Sequence, residues 1–472
     1  MSTLRNPWLF FAALALAGCA TELPQLPPAD LPSEWQGERN SSAQWPEADW
    51  WQRFETPELV QLLEQVRANN IDLANNRRNL QIAQLTLTGA GFDLWPSPSV
   101  TLSHSGSRTG GSDIDTANSQ SATLSGGLVY NGILGRPTQY DRARAEFAST
   151  RAAIVDAALA TYCTASNAYF QLLLIRDQIA AAEKNLDNAQ TILAIAESRV
   201  NAGADTPLEA LQQRIAVEKQ RNNLRNLQQD ELAARASLAL LAGTGLADFG
   251  VEGQSLERVA VPDIGAGVPS DLLLRRPDLV QAEAQLRSSR ADVDLARLAY
   301  LPDIGLTATG NSASDALDAL LSAPATTVTA SASLVQSLLD NGARRRATEQ
   351  SRLRLENALA DYRNAVLGAL NEVEIALGNI ALREAQAQVA ADDLARAEEA
   401  FRIARVRYSA GADGYQALID TQNTLFEART SYLQNKFNRL NSLIGLYQAL
   451  GGGWRSGDDG ATDALLAPAP QT

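Results

Sequence analysis

The sequence predicts a mainly α chain with four strands destined for a membrane, its helices long and coiled-coil in character and its architecture internally duplicated. Two stretches, Ala165 to Val200 and Val373 to Tyr408, carry apolar side chains at every seventh position. Four short Ser/Thr-rich stretches alternate apolar and polar residues. Both patterns recur at a shift of 206 to 208 residues, which makes the repeat the organising fact of the chain.

The first element is an address. Residues 1–18 carry one basic residue, Arg5, and then an apolar run from Trp8 to Leu16, the length of a signal-peptide core and too short to span as a helix. The run ends Leu16-Ala17-Gly18-Cys19, which resembles the lipobox of bacterial lipoproteins, so Cys19 is expected to become an acylated first residue. Ala20 stands where lipoproteins retained at the inner membrane often carry Asp, so the resemblance favours the outer membrane. Residues 19–57 are read as a lipidated tether and equatorial segment, rich in Pro and acids up to residue 48.

Two structural repeats follow, 58–265 and 266–454. Each is read as a helix, two strands, a long helix and a shorter return helix. The long helices are expected at 139–200 and 343–408, roughly 90 to 100 Å each at 1.5 Å per residue, and the return helices at 207–241 and 414–450. In the first, Ala165, Leu172, Ile179, Leu186, Leu193 and Val200 form one seam row, and Ala168, Ile175, Ala182, Ala189 and Ala196 the other. Shifted by 208, the rows become Val373, Ile380, Ala387, Leu394, Phe401 and Tyr408, with Ala376, Arg383, Ala390, Ala397 and Ala404; only Arg383 spoils the match. A strict seven-residue period held this long implies knobs-into-holes packing, and the Ala row permits close approach. Gly203 and Gly411, in the recurring Ala-Gly-Ala-Asp, suit left-handed helix caps, Pro207 suits a first helical turn, and Asp205 and Asp413 suit turns.

Strands are expected at 97–108, 119–130, 303–312 and 325–335, after the helix breakers Trp95-Pro96 and Leu301-Pro302. Each presents one apolar and one largely polar face over the length of a membrane-spanning strand, with Trp95, Tyr130 and Tyr300 at strand ends where an aromatic belt belongs. Four strands cannot close a barrel, and lipid tolerates no open edge, so the chain must oligomerise; a dimer is the geometric minimum and a trimer gives 12 strands. Residues 455–472, rich in Gly, Asp, Ala and Pro, are expected to be a disordered tail.

Composition removes most other functions. The formal charge of −14, from 54 acids against 40 bases, argues against nucleic acid as a partner. His104 is the sole histidine, and Cys19 and Cys163 the sole cysteines, too few for a His-rich metal site or a Cys-x-x-Cys centre. Cys163 has no nearby base and suits a small buried hydrophobe. Lys184, Lys219 and Lys436 are the only lysines and none opens a phosphate loop; no nucleophile elbow occurs. No acid pair has a supporting pocket, so no enzyme, cofactor or metal is expected beyond the lipid on Cys19.

A lipobox, two copies of strand-strand-long helix-helix and obligatory oligomerisation together resemble the TolC-type outer membrane factors, and within them the OprM/NodT-like efflux lipoproteins. Trp50-Trp51-Gln52-Arg53-Phe54, the run Val268 to Asp278 with Leu274-Arg275-Arg276-Pro277-Asp278 at its end, and Leu446 to Trp454 carry the likeness. Locally, the middle run also reads as a helix start with Ser270 or Asp271 as cap and Pro277 as a kink. The resemblance implies a homotrimer with a 12-stranded barrel in outer membrane lipid, a periplasmic α-barrel, and passive conduction of small molecules such as drugs. It also implies two partners, a periplasmic adaptor (membrane fusion) protein and an inner-membrane RND-type pump. Protein secretion and heavy-metal efflux use the same fold, and a structural periplasmic lipoprotein is the alternative of another class. Aligned through Gly203 and Gly411, Glu209 and Asp420 fall on positions of acidic constrictions in the family, with Gln416 one turn before Asp420 as a third gate position. The shift partner of Glu209 is Ala417, where TolC has an acid, so the chain departs there. Each acid is also compatible with a solvated helix face.

Overall fold

A computed structural model of the chain describes Trp35 and residues 45–111, 114–203, 206–253, 255–264, 269–314 and 325–457. The signal segment 1–18, Cys19, most of the tether, Asp205 and the tail beyond Gly457 lie outside the described residues. The eight helices described are α1 Pro57–Asn69, α2 Ile71–Phe92, α3 Arg136–Asn201, α4 Pro207–Leu241, α5 Leu272–Arg275, α6 Pro277–Leu298, α7 Ala343–Ser409 and α8 Tyr415–Ala449. Contacts group the described residues into two compact units, one within Leu80–Arg151 and Gln281–Asn364, the other within Asp30–Asn79, Ala152–Val280 and Ala365–Thr472.

The first unit holds a four-stranded antiparallel sheet in the order β1 Ser97–Gly111, β2 Ile114–Tyr130, β3 Asp303–Ser314 and β4 Ala325–Val335. The register gathers most large apolar residues of the four strands on one face, with Val129 and Val335 on the other. Leu102 pairs with Leu124, Tyr130 with Leu306, Leu306 with Ala332, Ile304 with Leu334 and Gly310 with Val328. The opposite face aligns Ser99, Thr101 and Ser103 with Gly127, Ser125 and Thr123, and Thr307 and Thr309 with Ser331 and Thr329. Period-two alternation produces this only in one register, since a slip of one residue would exchange the faces. On this face Val100 and Val328 are each 79% exposed, and Leu102, Leu128, Leu306 and Leu334 are exposed as well, whereas Ala122 is buried. Tyr130 donates to the Leu94 carbonyl at 2.8 Å and lies under the Arg136 guanidinium at 4.7 Å, fixing one aromatic at the strand end. Beside the sheet, Leu286 and Val293 of α6 pack with Leu355, Ala358 and Leu359 of α7.

The second unit is helical. Its aromatic core starts from the Trp-Trp-Gln-Arg-Phe run, which forms a 3-10 turn over Trp50–Phe54. Trp50 stacks on Tyr447 at 4.6 Å between centroids, and Phe54 packs against Phe170 at 5.2 Å. Cys163 is buried, and burial pushes its thiol up to about 12, as suits a packing residue. The seam rows are buried to the same extent in the two copies. On α7, Val373, Ala390, Ala397, Phe401, Ala404 and Tyr408 are buried, while Ala376, Ile380, Arg383, Ala387 and Leu394 are half-buried. On α3, Ala165, Leu172, Ile175, Ala182, Ala189 and Ala196 are buried, while Ala168, Ile179, Leu186, Leu193 and Val200 are half-buried. A further row separates the copies. Ile375, Leu382, Val389, Arg396 and Ile403 on α7 are all exposed, whereas their counterparts 208 residues earlier on α3, Asn167, Leu174, Ala181, Asn188 and Ile195, are buried or half-buried.

The run from Pro269 differs from its sequence reading. Pro269–Asp271 is a 3-10 turn and Asp271 makes no side-chain capping bond to α5. Arg276 is extended (φ −94°, ψ 121°), and Pro277 begins α6 rather than kinking a continuous helix. The residue before proline avoids the helical region, which ends α5 after four residues, and proline suits the first turn of the next helix. The first copy breaks at the matching place, with Asn70 extended (φ −60°, ψ 127°) between α1 and α2. At the far end, the Ser456 backbone donates to the Leu274 carbonyl at 2.7 Å.

Candidate functional site

The turns joining long to return helices are built by the residues the sequence singled out. Gly203 and Gly411 both take positive φ, 72° and 73°, and end their helices in left-handed caps. At the second tip Gly411 donates to Tyr408 and Ala412 to Arg407, satisfying carbonyls the helix leaves free. Asp413 is a turn residue with a further task. Both its oxygens bind the Arg407 guanidinium, at 2.6 and 2.9 Å, and that hydrogen bonding with the adjacent positive charge holds its carboxyl below the ordinary range. Pro207 opens α4 after Thr206, and Gly414 precedes α8.

Of the three candidate gate residues, Gln416 and Asp420 are brought together. Both are exposed, and the Gln416 amide donates to Asp420 at 2.8 Å across one turn of α8. Glu209 has another environment. It is half-buried in the first turn of α4, and its charge, with burial as the larger cause, pushes the Tyr415 phenol up to about 12. Tyr415 in turn donates to Gln213 at 2.8 Å, and the fully buried Gln213 donates to the Ala189 carbonyl at 2.8 Å. This chain of bonds ties α8 to α4 and α3 just where the tip begins. Packing reinforces it, since Ile192 joins Ala397, Phe401, Ala404, Tyr408, Leu418 and Leu425 in one buried cluster. Arg199 lies over the Tyr408 ring at 4.9 Å.

Sequence reasoning missed two interactions. The Tyr415–Gln213 bond spans the two copies and no local pattern encodes it. The second is a matched pair of clamps. Asn70 donates to the carbonyl of Leu241, the last residue of α4, at 2.8 Å; Arg276 donates to the carbonyl of Ala449, the last residue of α8, at 3.1 Å. The 206-to-208 shift pairs these residues, and that was the signal available. Arg276 also binds Asp278 and Glu372, each at 2.7 Å, and lines a polar cavity of about 690 Å³ with Asp156, Arg383 and Asn441. Burial opposes its charge, yet bonds to Asp278 and Glu372 hold its pKa above the ordinary arginine value. Among the described residues no group of His, Cys, Asp and Glu has metal-binding geometry.

The same duplication appears in the family comparison. The outer membrane efflux protein family model matches twice, over residues 62–244 and 268–452. The two matches are displaced by 206 residues at their starts and 208 at their ends. This chain is an outer membrane efflux protein. Nearly its whole length aligns with relatives of that kind. It is 33% identical to the pyoverdine export outer membrane protein OpmQ of Pseudomonas aeruginosa, covering 97% of this chain and 99% of OpmQ. Identity is 27% to the cation efflux system protein CusC of Escherichia coli, over 94% and 98% of the two chains. In fold it is similar to the Campylobacter jejuni CmeC outer membrane channel, with TM-score 0.85 at 20% identity over 95% of this chain and 98% of that one. The outer membrane channel OprN gives 0.82 at 22% identity, over 92% and 99%. The chain therefore serves efflux at the outer membrane.

Proposed function

We propose that this efflux protein is a homotrimer whose strands close a 12-stranded barrel in the outer membrane and whose long helices close a periplasmic α-barrel. It passively conducts small molecules delivered by an inner-membrane RND-type pump through a periplasmic adaptor. Cys19 carries the lipid anchor, and Asp420, with Gln416 beside it and Glu209 at the neighbouring tip, narrows the periplasmic entrance.

The observation that carries this reading is the α7 row Ile375, Leu382, Val389, Arg396 and Ile403, exposed where the first copy covers the same stations. A coiled-coil row left open on one repeat and covered on its duplicate supports a neighbour's first repeat completing the second. Such quasi-equivalent closure needs further copies and ends in a ring. The open β1 and β4 edges and the exposed Val100, Leu102, Val328 and Leu334 of the sheet make the same demand in lipid.

The test joins the mass of the detergent-extracted oligomer to its planar-bilayer conductance. A trimer forming small, cation-selective channels is expected; a monomer that never conducts would overturn the duct. Asp420→Ala is expected to raise single-channel conductance and weaken cation selectivity, and unchanged values on both counts would reject the gate. Pyoverdine is the first cargo to assay, because relatives at 33% and 31% identity carry that export function in their names.

A further inference from the structure

The residues after β2 and after β4 occupy equivalent places, Gly132 and Ile133 answering to Leu338 and Leu339 at a shift of 206. The residues leading into β1 and β3 answer to each other likewise, Trp95-Pro96-Ser97 to Leu301-Pro302-Asp303. In the middle of the sheet, where β2 lies beside β3, the two groups meet within the chain. There the Gly132 N–H donates to Asp303 Oδ1 at 3.0 Å, and Ile133 is half-buried. At the edges of the sheet they have nothing to meet. Leu338 and Leu339 are 88% and 93% exposed, and no other large apolar side chain among the described residues is as exposed.

The turn that presents these leucines is braced on both sides. Gln336 donates to the Tyr300 carbonyl at 3.0 Å, as its counterpart Tyr130 does to that of Leu94. Asp340 accepts from the backbones of Gly342 and Arg344, each at 3.0 Å, across the left-handed residues Asn341 (φ 51°) and Gly342 (φ 73°). A segment held in this way loses little freedom on docking. The opposite edge of the sheet offers a receptor. Phe92, Trp95, Tyr140 and Phe147 line a groove of about 780 Å³ at the start of β1, with Thr88 and Asp93 among its polar groups. A groove of that size seats a drug-sized ligand, so it has room for two leucine side chains. Asp93 in the lining suits a protein segment with backbone N–H groups better than an acyl chain.

The geometry points to Leu338 and Leu339 of one copy seating in the Trp95 groove of the next, where they lock the foot of the seam between β4 and the neighbouring β1. The inference rests on the oligomeric duct proposed above. The four strands alternate in direction, so a ring of copies pairs β4 with the next β1 antiparallel as well. Pairing that keeps the 11 residues of β4 on the 15 of β1 sets Leu338 and Leu339 opposite residues 93–98, among them Asp93, Trp95 and Pro98 of the groove. The internal β2–β3 register, moved by 206, falls within that range and sets Leu338 beside Ser97 and Pro98. The seam between copies thus repeats the seam inside one, with a leucine pair where the chain itself uses Gly132 and Ile133.

The experiment is oxidation by copper phenanthroline of the full-chain oligomer carrying L338C together with S97C or with P98C. β1 and β4 are opposite edges of the sheet, three strand spacings or roughly 14 Å apart, so neither pair can close within one chain. Reducible dimers and trimers on denaturing gels are expected for the pairs and not for the single variants, the native Cys163 being buried. A second measurement is the temperature at which the detergent-extracted oligomer dissociates. L338A/L339A is expected to lower it by about 10 °C, through two leucine side chains lost from each seam. A conducting wild-type trimer in which either result is missing leaves the groove to acyl chains, which overturns this inference and leaves the duct standing. A wild type that never assembles overturns both.

Discussion

The two clamps at the ends of the return helices solve one problem with different chemistry. In each copy a residue in extended conformation interrupts two helices and reaches the last carbonyl of the return helix, Asn70 to Leu241 and Arg276 to Ala449. Two residues beyond each carbonyl stands a glycine of positive φ, Gly243 at 68° and Gly451 at 83°. Its missing Cβ makes room for a carbonyl, that of Asn69 in the first copy and Arg275 in the second. Asn70 is neutral, and its oxygen also accepts from the Leu73 backbone at 3.0 Å, so one side chain holds two ends with no counter-ion. Arg276 is only 8% exposed and brings a charge, which Asp278 and Glu372 must balance. Geometry is therefore the conserved part of the duplication, and a charged clamp is tolerated only where acids already lie in reach.

The comparison breaks first at the glycines. Gly451→Ala and Gly243→Ala each add strain at positive φ and a collision with backbone, and each is expected to cost on the order of 4 kcal/mol. Thermal denaturation of the detergent-solubilised oligomer measures both, and equal losses would confirm that the copies share one geometry. Arg276→Ala strands two carboxylates and a carbonyl. Because both acids reach water, about 2 to 3 kcal/mol is expected rather than the full value for a buried pair. Arg276→Lys should recover less than half of it, since an ammonium cannot serve Asp278, Glu372 and Ala449 in their fixed directions. Asn70→Ala removes one cap and one donor and should cost about 1 to 2 kcal/mol. A larger loss at Asn70 than at Arg276 would reverse the comparison.

The last effect is absent at neutral pH and emerges only in alkali, at a station where the copies differ in burial. Cys163 is buried, and its counterpart Asn371 is exposed. The thiol ionises near its ordinary value of 9.0 when unfolded and only near about 12 when folded. Between those values the native state holds more protons, so stability falls as pH rises through the window and is unaffected below it. Cys163→Ala should flatten this alkaline decline in chemical denaturation measured from pH 8 to 11, with little effect on its shape near neutrality.

Most of the architecture was legible in the sequence because periodicity and duplication are global signals. The long helices extend up to three residues beyond their expected bounds, β1 by three and β2 by five, while α4 has the expected bounds and α8 is one residue shorter at each end. The run around Arg276 was misjudged for a local reason. A proline in an apolar helical pattern is compatible with both a kink and a new start, and the bond that the Arg276 side chain makes from the new start reaches Ala449, 173 positions away. Gln416 and Asp420 were legible as neighbours from spacing alone. The half-buried setting of Glu209 was not, because Tyr415, which shares it, lies on the other copy.

The register of the sheet also governs the order in which this chain can acquire its structure. Hairpins β1–β2 and β3–β4 join residues close in sequence, and such hairpins form in microseconds. The central ladder pairs Tyr130 with Leu306 and Ala122 with Ser314 across the whole first helical hairpin. Closing a loop of that size places it late and makes it slow. Until the second repeat has been exported, β2 remains an unpaired edge beside an apolar face. The nascent first repeat is thus the aggregation-prone species, and a chain halted before β3 should depend on periplasmic chaperones where the complete chain does not.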